Sequence, residues 1–365
     1  MHITCIQEKI EDAVTKAAPI TGKDLSLPVL ECVLLEVKEN NLVVKSTDLE
    51  IGVAITVPVK VKETGTVAVP ADVLRNFLST LPDSQKVILE TDGNTLQVTT
   101  THSETHMKTQ PHDEFPSIPE VEEGEAVELP AEKVINGFES VYYSASASSM
   151  KPELSSVNMF AENGELVFVA TDSFRLAEKR IPTDEISDLE EVLLPYTNVA
   201  EVTQIFDDST DAIELVIGDN QVAFASDNVY VTSRVIDGVF PDYKQIIPDT
   251  QDTEVTTLKQ DLLNTLKLAN IFADKFNQVT ISVDTQQKEC MIQTNNEDVG
   301  ENKGTVDATI EGEDITAHFN YQYIIDCFQS ISTDSVSMQF SEEKPMTIEG
   351  VGDDSFLYLV MPMNK

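Results

Sequence analysis

Apolar residues recur at two different periods along this chain, and the changes of period predict its elements. In LKQDLLNTLKLANIFA (258–273), Leu262, Leu266, Ala269 and Phe272 follow one another at spacings of three or four, which predicts an amphipathic helix. The stretches 5–18 and 130–145 are predicted helices as well. Short runs rich in β-branched residues follow each helix, among them CVLLEV, GELVFVAT and QVTISV, and these predict strands. The turn signals TDGN and IGDNQ divide later strands into hairpins.

This order of elements repeats at a period of about 125 residues. NNLVVKSTDLEIGVAI (40–55) aligns with GELVFVATDSFRLAEK (164–179), which places Thr47 on Thr171, and a weaker third match, KECMIQTNNEDVGENK, places Thr294 in the same slot. Pro70 and Pro195, ahead of a second short helix, keep the same spacing. The pattern predicts an α+β fold of three tandem repeats, each with two helices and antiparallel strands. The predicted domains are 1–122, 123–248 and 249–365.

Composition adds a strong charge imbalance. The 365 residues include 24 Lys+Arg against 64 Asp+Glu, a net charge of −40, and an acidic exterior repels nucleic acid unless a small basic stripe interrupts it. The four cysteines are scattered without a CxxC pair, so reduced thiols and a cytoplasmic location are expected. Acidic residues in MHITCIQEKIEDAV do not fit a secretory signal, and no apolar run is long enough to predict a membrane span.

Catalytic and metal-binding motifs are missing from the sequence. It contains no GxGxxG, Walker A, GxSxG or HExxH pattern, and its acidic runs do not have the ligand spacing of a calcium loop. His102 and His106 have the spacing of a helical zinc pair, but TLQVTTTHSETHMKT predicts a strand, in which such residues lie about 13 Å apart. We therefore expect no catalytic residues, no bound metal and no cofactor.

The segment ATDSFRLA resembles ATDGHRLA of the bacterial DNA polymerase III beta subunit, the replicative sliding clamp. Further matching segments run through the whole chain in order: LSLPVLECVLLEV, STDLEIGV, FPSIP, ELSSVNM, SRVIDGVFPDY, HFNYQYIIDCF and LVMPMNK. The resemblance implies a head-to-tail homodimeric ring, with helices lining a hole that encircles double-stranded DNA without sequence specificity. It also implies an accessory subunit without catalysis of its own, which gives the polymerase its processivity.

Sliding clamps recruit the polymerase catalytic subunit, the clamp loader, repair polymerases, ligase and mismatch-repair proteins through linear peptides that enter an apolar pocket. Apolar and proline side chains suit a peptide pocket, and Thr171, Arg175 and Asn320 could hold a peptide backbone or terminal carboxylate. The positions that match this pocket are Leu154, Thr171, Ser173, Phe174, Arg175, Leu176, Pro241, Ile246, Phe276, Asn320, Tyr323, Pro345, Leu359, Met361, Pro362 and Met363.

The resemblance also implies a DNA-facing surface and a dimer interface. The candidate DNA-facing cations are Lys9, Lys16, Lys23, Arg75, Lys133, Lys151, Lys259, Lys267 and Lys275. They are few and are interleaved with acids, so we expect contact with DNA that is either weaker or more salt-sensitive than is usual for the family. The expected interface joins the first domain of one subunit to the third of its partner, with Phe77 and Met107 against Ile271 and Phe272.

Departures from the family pattern affect peptide preference. Ser173 and Phe174 stand where the family has glycine and histidine, and Gln245 and Asn364 stand where many relatives have arginine. Two other function classes remain open at this point. One is a non-catalytic acidic repeat protein that buffers cations or mediates adhesion, and the other is a hydrolase with a carboxylate pair that matches no motif.

Overall fold

The computed structural model describes residues 1–22, 26–82, 86–121, 124–183, 189–207, 209, 212–248 and 250–363. Contacts divide this part of the chain into two compact units. The first unit comprises Met1–Ile135 with Ala200–Val235, and the second comprises Asn136–Val199 with Ile236–Lys365. The division cuts through the middle repeat, so the partition into three domains at 122 and 248 stays a prediction. None of the helices in the described ranges combines the length and apolar character needed to cross a membrane.

Six α-helices and twenty-six strands make up the regular structure of the described residues. The helices are α1 (Gln7–Ala17), α2 (Ala71–Thr80), α3 (Ala131–Val141), α4 (Tyr196–Phe206), α5 (Lys259–Asn270) and α6 (Tyr321–Asp326). The strands up to residue 130 are β1 (His2–Ile6), β2 (Cys32–Lys38), β3 (Asn41–Thr47), β4 (Ile51–Pro58), β5 (Lys60–Glu63), β6 (Gly65–Pro70), β7 (Lys86–Asp92), β8 (Thr95–Thr99), β9 (Glu104–Lys108) and β10 (Glu125–Pro130). Those of the middle are β11 (Ser156–Glu162), β12 (Glu165–Thr171), β13 (Arg175–Pro182), β14 (Leu189–Pro195), β15 (Ala212–Ile217), β16 (Gln221–Ala225) and β17 (Val229–Arg234). The last are β18 (Thr253–Leu258), β19 (Gln278–Asp284), β20 (Glu289–Asn296), β21 (Gly300–Val306), β22 (Ala308–Gly312), β23 (Ile315–Asn320), β24 (Ser335–Phe340), β25 (Met346–Gly350) and β26 (Asp353–Val360).

The first unit contains two antiparallel sheets. A five-stranded sheet has the order β5-β1-β7-β8-β9, and an eight-stranded sheet has the order β10-β15-β16-β17-β4-β3-β2-β6. The eight-stranded sheet is continuous because β17 pairs with β4, with Val231 opposite Val53. Helix α1 packs against β3 and β4 through a buried stripe that includes Ile10, Val14 and Ala17. A helix packed on a sheet in this way buries one face of each element.

The second unit has the same kind of construction. Its nine-stranded sheet has the order β14-β11-β12-β13-β26-β25-β24-β18-β22, and its four-stranded sheet has the order β21-β20-β19-β23. Here β13 pairs with β26, so that a strand from the middle of the sequence again joins one from a neighbouring repeat. Helix α5 buries Leu262, Leu266 and Ala269, as its spacing predicts, whereas Phe272 follows the end of the helix and is only half-buried.

Two sequence-based assignments need correction. The repeats do not open with a helix, because β1, β10 and β18 precede α1, α3 and α5. In particular, Cys5 and Ile6, which were included in the first predicted helix, belong to β1. The segment around His102 and His106 is also not one strand. It is a hairpin of β8 and β9, whose turn forms because the Thr100 hydroxyl accepts from the backbone N–H groups of His102 and Ser103.

The alignment of the third repeat shifts by one residue. The Ser46 hydroxyl donates to the carbonyl oxygen of Ala17 at the end of α1, and the Thr294 hydroxyl donates in the same way to Ala269 near the end of α5. Thr294 is therefore the counterpart of Ser46 and not of Thr47. In both units the hydroxyl bonds to a carbonyl in the last turn of a helix, where the carbonyls have no N–H group four residues further along the helix.

Candidate peptide-binding site

The site is built around a turn that occurs twice in the chain. In the second unit the Thr171 hydroxyl donates to the carbonyl oxygen of Arg175 at 2.6 Å, and Asp172 Oδ1 accepts from the backbone N–H groups of Phe174 and Arg175 at 2.9 and 3.0 Å. In the first unit Thr47 and Asp48 make the same hydrogen bonds around residues 50 and 51. Thr-Asp thus forms a local turn between two strands, as its repetition in the sequence suggests.

Arg175 distinguishes the turn in the second unit from the equivalent turn in the first unit. Its Nε donates to Asp172 Oδ2 at 3.0 Å, its Nη1 to Asp326 Oδ2 at 2.5 Å and its Nη2 to the carbonyl oxygen of Tyr143 at 2.6 Å. The guanidinium carbon lies 4.6 Å from the centre of the Tyr323 ring. The Arg175 side chain is 12% exposed. Burial opposes its charge, but its acidic and phenolic neighbours prevail and raise the pKa of the guanidinium. Arg175 therefore connects three segments of this unit.

The other two polar groups that were expected to hold a peptide also have partners inside the chain. The Thr171 hydroxyl, besides donating to Arg175, accepts from the backbone N–H of Ser173 at 3.2 Å. Asn320 is the N-cap of α6, and its Oδ1 accepts from the backbone N–H of Gln322 at 2.9 Å. The side chains of Thr171 and Asn320 thus stabilise the backbone of the candidate site through hydrogen bonds within the chain.

An apolar cluster forms the floor of the candidate site. Leu176 on β13 is paired with Leu359 on β26, and both side chains are buried. Phe240 and Tyr243 cover them from the segment that follows β17. Leu154 is also buried, within the loop ahead of β11. Strand pairing sets the positions of Leu176 and Leu359, whereas Leu154, Phe240 and Tyr243 pack from segments outside the strands.

Four of the expected pocket residues are exposed apolar side chains, which are a common sign of an interaction site. Phe174 is 60% exposed, Phe276 57%, Ile246 45% and Met361 37%. The chain end is fixed beside them, since the backbone N–H of Met361 donates to the carbonyl oxygen of Phe174 at 2.8 Å and that of Met363 donates to His318 at 2.7 Å. Pro362 and Pro345 are half-buried next to this chain end.

A polar network lies beside the floor. The Tyr243 hydroxyl donates to the buried carboxylate of Glu178, which also accepts from Arg180 Nε at 2.6 Å. Burial, followed by the proximity of Glu178, raises the pKa of Tyr243. A cavity of about 850 Å³ opens next to Pro241 and is lined by both aromatic and charged side chains, including Lys244. Tyr243, which follows Pro241 by two residues, is therefore held in place through Glu178 and Arg180.

The candidate DNA-facing cations have varied surroundings. Lys9, Lys151, Lys267 and Lys275 are exposed, and Lys133 is half-buried. Lys16 is 3.3 Å from Asp12, Arg75 is 3.0 Å from Asp72, Lys259 donates to the carbonyl oxygen of Ile331 at 2.5 Å, and Lys275 Nζ lies 5.0 Å from the centre of the Phe276 ring. Lys23 lies outside the described residues. Ion pairing with nearby acids lowers the charge that Lys16 and Arg75 could present to phosphate.

The expected interface residues lie near the open edges of two sheets. Met107 is on β9 and Phe77 on α2, both in the first unit, where Met107 is 5% exposed. In the second unit Ile271 is 63% exposed, and Phe272 packs beside Gly300 at the start of β21. Among the described residues, β9 has β8 as its only neighbour in its sheet, and β21 has only β20.

Sequence analysis did not identify Tyr143, Asp172 or Asp326 as part of this site. Asp172 had a usable signal, because it belongs to the repeated Thr-Asp pair and stands three residues before an arginine. Tyr143 acts through its backbone carbonyl, which is independent of residue type. Asp326 is far from Arg175 in the sequence, and only the fold brings the two together.

This architecture is that of a three-domain DNA sliding clamp. Sequence models of the DNA polymerase III beta subunit match three successive parts of the chain: the N-terminal domain model matches residues 1–119, the central domain model 128–242 and the C-terminal domain model 244–364. The protein therefore belongs to the DNA polymerase III beta subunit family.

Individual relatives agree with this assignment. The beta sliding clamp of Staphylococcus aureus is 26% identical over 365 residues, which cover 97% of this chain and 96% of the relative. The crystal structure of the DNA polymerase III beta subunit of Thermotoga maritima is 28% identical with a TM-score of 0.94, covering 100% of this chain and 99% of the other. The Pseudomonas aeruginosa sliding clamp matches in fold, with a TM-score of 0.93 at 24% identity over the full length of both chains. An acidic cation-buffering or adhesion protein finds no support in these comparisons.

Proposed function

We propose that the protein is a sliding clamp that closes as a head-to-tail dimer around duplex DNA and tethers the replicative polymerase. A closed ring holds DNA by topology, so weak contacts with phosphate are sufficient and sliding remains possible. The proposed ring has helices on its inner side, the three domains 1–122, 123–248 and 249–365 in each subunit, and no catalytic activity. Four buried, unpaired cysteines support a location in the reducing cytoplasm.

The observation that carries the proposal is a sheet junction that occurs twice within the chain. In one junction β17 pairs with β4, and in the other β26 pairs with β13. The strands β9, β17 and β26 are equivalent under the repeat, as are β4, β13 and β21. Within the described ranges, the two members that have no such partner are β9 and β21. We infer that β9 of one subunit pairs with β21 of the other, which makes the third junction and closes the ring.

The peptide site gives the clamp its partners. The exposed apolar rim and the buried apolar floor around Leu176 and Leu359 suit a short linear peptide whose apolar side chains enter the groove. We propose that the polymerase catalytic subunit and the clamp loader bind there, and that repair polymerases, ligase and mismatch-repair proteins use the same groove.

Retention on circular DNA tests the clamp function. The protein is loaded onto a nicked plasmid by a clamp loader with ATP, and the DNA is separated from free protein by gel filtration. We expect co-elution with the circle, loss after linearisation, and a native mass near twice the 40.3 kDa of the chain. Retention on the circle should depend little on salt, because the closed ring and not phosphate contact holds the DNA.

The control is the same plasmid linearised but blocked at both ends by bound protein. Blocked ends should restore retention, because a ring slides off only at a free end. A monomeric protein, or equal retention on circular and open linear DNA, would contradict the proposal.

A further inference from the structure

Arg175 connects two segments that each carry an aromatic residue of the proposed groove, the exposed Phe174 and the half-buried Tyr323. On one side it bonds to Asp172, whose carboxylate also fixes the backbone N–H of Phe174. On the other side it bonds to Asp326 on α6 and stacks on Tyr323, three residues earlier on the same helix. Phe174 belongs to the second repeat, and Tyr323 belongs to the third. The guanidinium is therefore a bridge between the two walls.

The same contacts leave little of Arg175 for a bound peptide. Its Nε, Nη1 and Nη2 each donate to an acceptor of this chain, and its side chain is only 12% exposed. A planar guanidinium with several fixed partners is a geometric brace, because its donors lie in one rigid fork. Asp326 is held in turn, since its Oδ1 accepts from Gln322 Nε2 at 2.7 Å.

We infer that Arg175 is a positioning residue of the proposed peptide site, which holds Phe174 and Tyr323 at a fixed separation and does not itself bind the peptide. The inference rests on the proposed function. The alternative is that Arg175 binds the C-terminal carboxylate of the peptide directly. The two roles predict different effects when that carboxylate is replaced by an amide.

Two fluorescent probes separate these roles: the peptide Gln-Leu-Ser-Leu-Phe with a free C-terminal carboxylate, and the same peptide with a C-terminal amide. Arg175→Lys keeps the positive charge but cannot reach three acceptors at once. If Arg175 positions the walls, this variant should weaken both probes by the same factor, about tenfold, as expected when hydrogen bonds to charged groups are lost. If Arg175 grips the carboxylate, only the free-acid probe should weaken.

Asp326→Asn gives a second, independent result. This change weakens the anchor of Arg175 and leaves the arginine itself in place. A positioning role predicts weaker binding of both probes, and the double variant should lose little more than either single one. A direct grip predicts unchanged or tighter binding of the free-acid probe, because Nη1 is released.

Arg234→Lys is the matched control. Arg234 is 58% exposed and pairs with Glu50. Both residues belong to the first unit, whereas Arg175 belongs to the second. Circular dichroism establishes that each variant is folded at the assay temperature, and Asp326→Asn alone decides the question if Arg175→Lys does not fold. Selective loss of the free-acid probe, or unchanged binding by Asp326→Asn, overturns the inference. Failure of the unaltered protein to bind either probe refutes the proposed peptide site, and with it the inference.

Discussion

Ser173 and Leu49 occupy the same position of the repeated turn and share an unusual backbone conformation. Their φ angles are +77° and +81°, in the left-handed region that favours glycine. The hydrogen bonds of Thr171 and Asp172 hold Ser173 in this conformation, and those of Thr47 and Asp48 hold Leu49. Each turn thus stores some strain, which its neighbours in the turn compensate.

Replacing Ser173 by glycine should stabilise the protein. Glycine adopts the left-handed region without steric strain, although it loses more backbone entropy on folding, so the net gain should be about 0.5 to 1 kcal/mol. The gain would appear as a higher midpoint of urea unfolding. Leu49→Gly tests the equivalent residue of the first repeat.

Ser148→Gly is the control for the serine replacement, because Ser148 is exposed in a loop and is not among the residues with positive φ. Its entropy loss is not offset by released strain, so its midpoint should stay constant or fall. A Ser173→Gly midpoint that falls as far as that of Ser148→Gly would show that the turn is not strained.

The family resemblance, rather than residue type, named the side chains expected at the groove, and it did not indicate what each one bonds to. The turn formed by Thr171 and Asp172 could be predicted from the sequence because the pair recurs at the repeat spacing. The role of Arg175 could not be predicted from the sequence, because it depends on Asp326, 151 residues away, and on the backbone carbonyl of Tyr143. Chemical class predicts the kind of bond that a side chain makes, and the fold decides its partner.

The elements themselves follow closely from the pattern of apolar positions. The runs CVLLEV, GELVFVAT and QVTISV fall on β2, β12 and β19, and the helices α2 and α4 directly follow Pro70 and Pro195. The strands β1, β10 and β18 were missed because five or six residues show too few alternations to separate a period of two from the start of a helix. The boundary between β1 and α1 is set by pairing with β7, which only the fold supplies.

Residues 361–363 form part of the proposed peptide site even though they belong to no strand. Met361 and Met363 are tied by their backbone N–H groups to Phe174 and His318, which fixes an apolar strip along the groove. Removing residues 361–365 should abolish binding of the Gln-Leu-Ser-Leu-Phe probe, measured by fluorescence anisotropy. The dimer should remain, because β21 and α5 are untouched.

A matched control keeps the length of the chain. Met361→Ser with Met363→Ser retains the backbone hydrogen bonds and removes the apolar side chains, so binding should weaken to a similar degree. Native mass and circular dichroism establish that both variants are intact. Undiminished binding by the truncated chain would argue against the assignment of the groove.

At the scale of the whole molecule, the repeated sheet junction and the net charge of −40 act on stability in opposite directions. Two carboxyl groups are affected most clearly among the described residues. Burial, and then Asp48, raises the pKa of Glu201, and burial, followed by Asp354 and Glu254, raises that of Glu349. Both groups are therefore easier to protonate in the folded chain than in the unfolded one.

The sign of the pH dependence follows from linkage. A carboxyl group with a raised pKa binds protons more tightly when folded, so its penalty at neutral pH is relieved as the pH falls through that folded value. Glu162 acts in the opposite direction: hydrogen bonds from Lys244 lower its pKa, and its contribution is lost only below the ordinary value of 4.5. We expect the thermal midpoint to rise from about pH 7.5 to about pH 5.5 and to fall below about pH 4.5.

The double variant Glu201→Gln, Glu349→Gln separates these two groups from the general repulsion. It should be more stable than the unaltered protein at pH 7.5 and should show a smaller rise on acidification, because neither glutamine titrates. Added salt should raise the midpoint of both proteins at pH 7.5, since it screens the repulsion that remains. A midpoint that already falls between pH 7.5 and 5.5 would mean that the acidic surface has no net cost at neutral pH. An equal rise in both proteins would mean that the cost comes from the general repulsion and not from the half-buried Glu201 and Glu349.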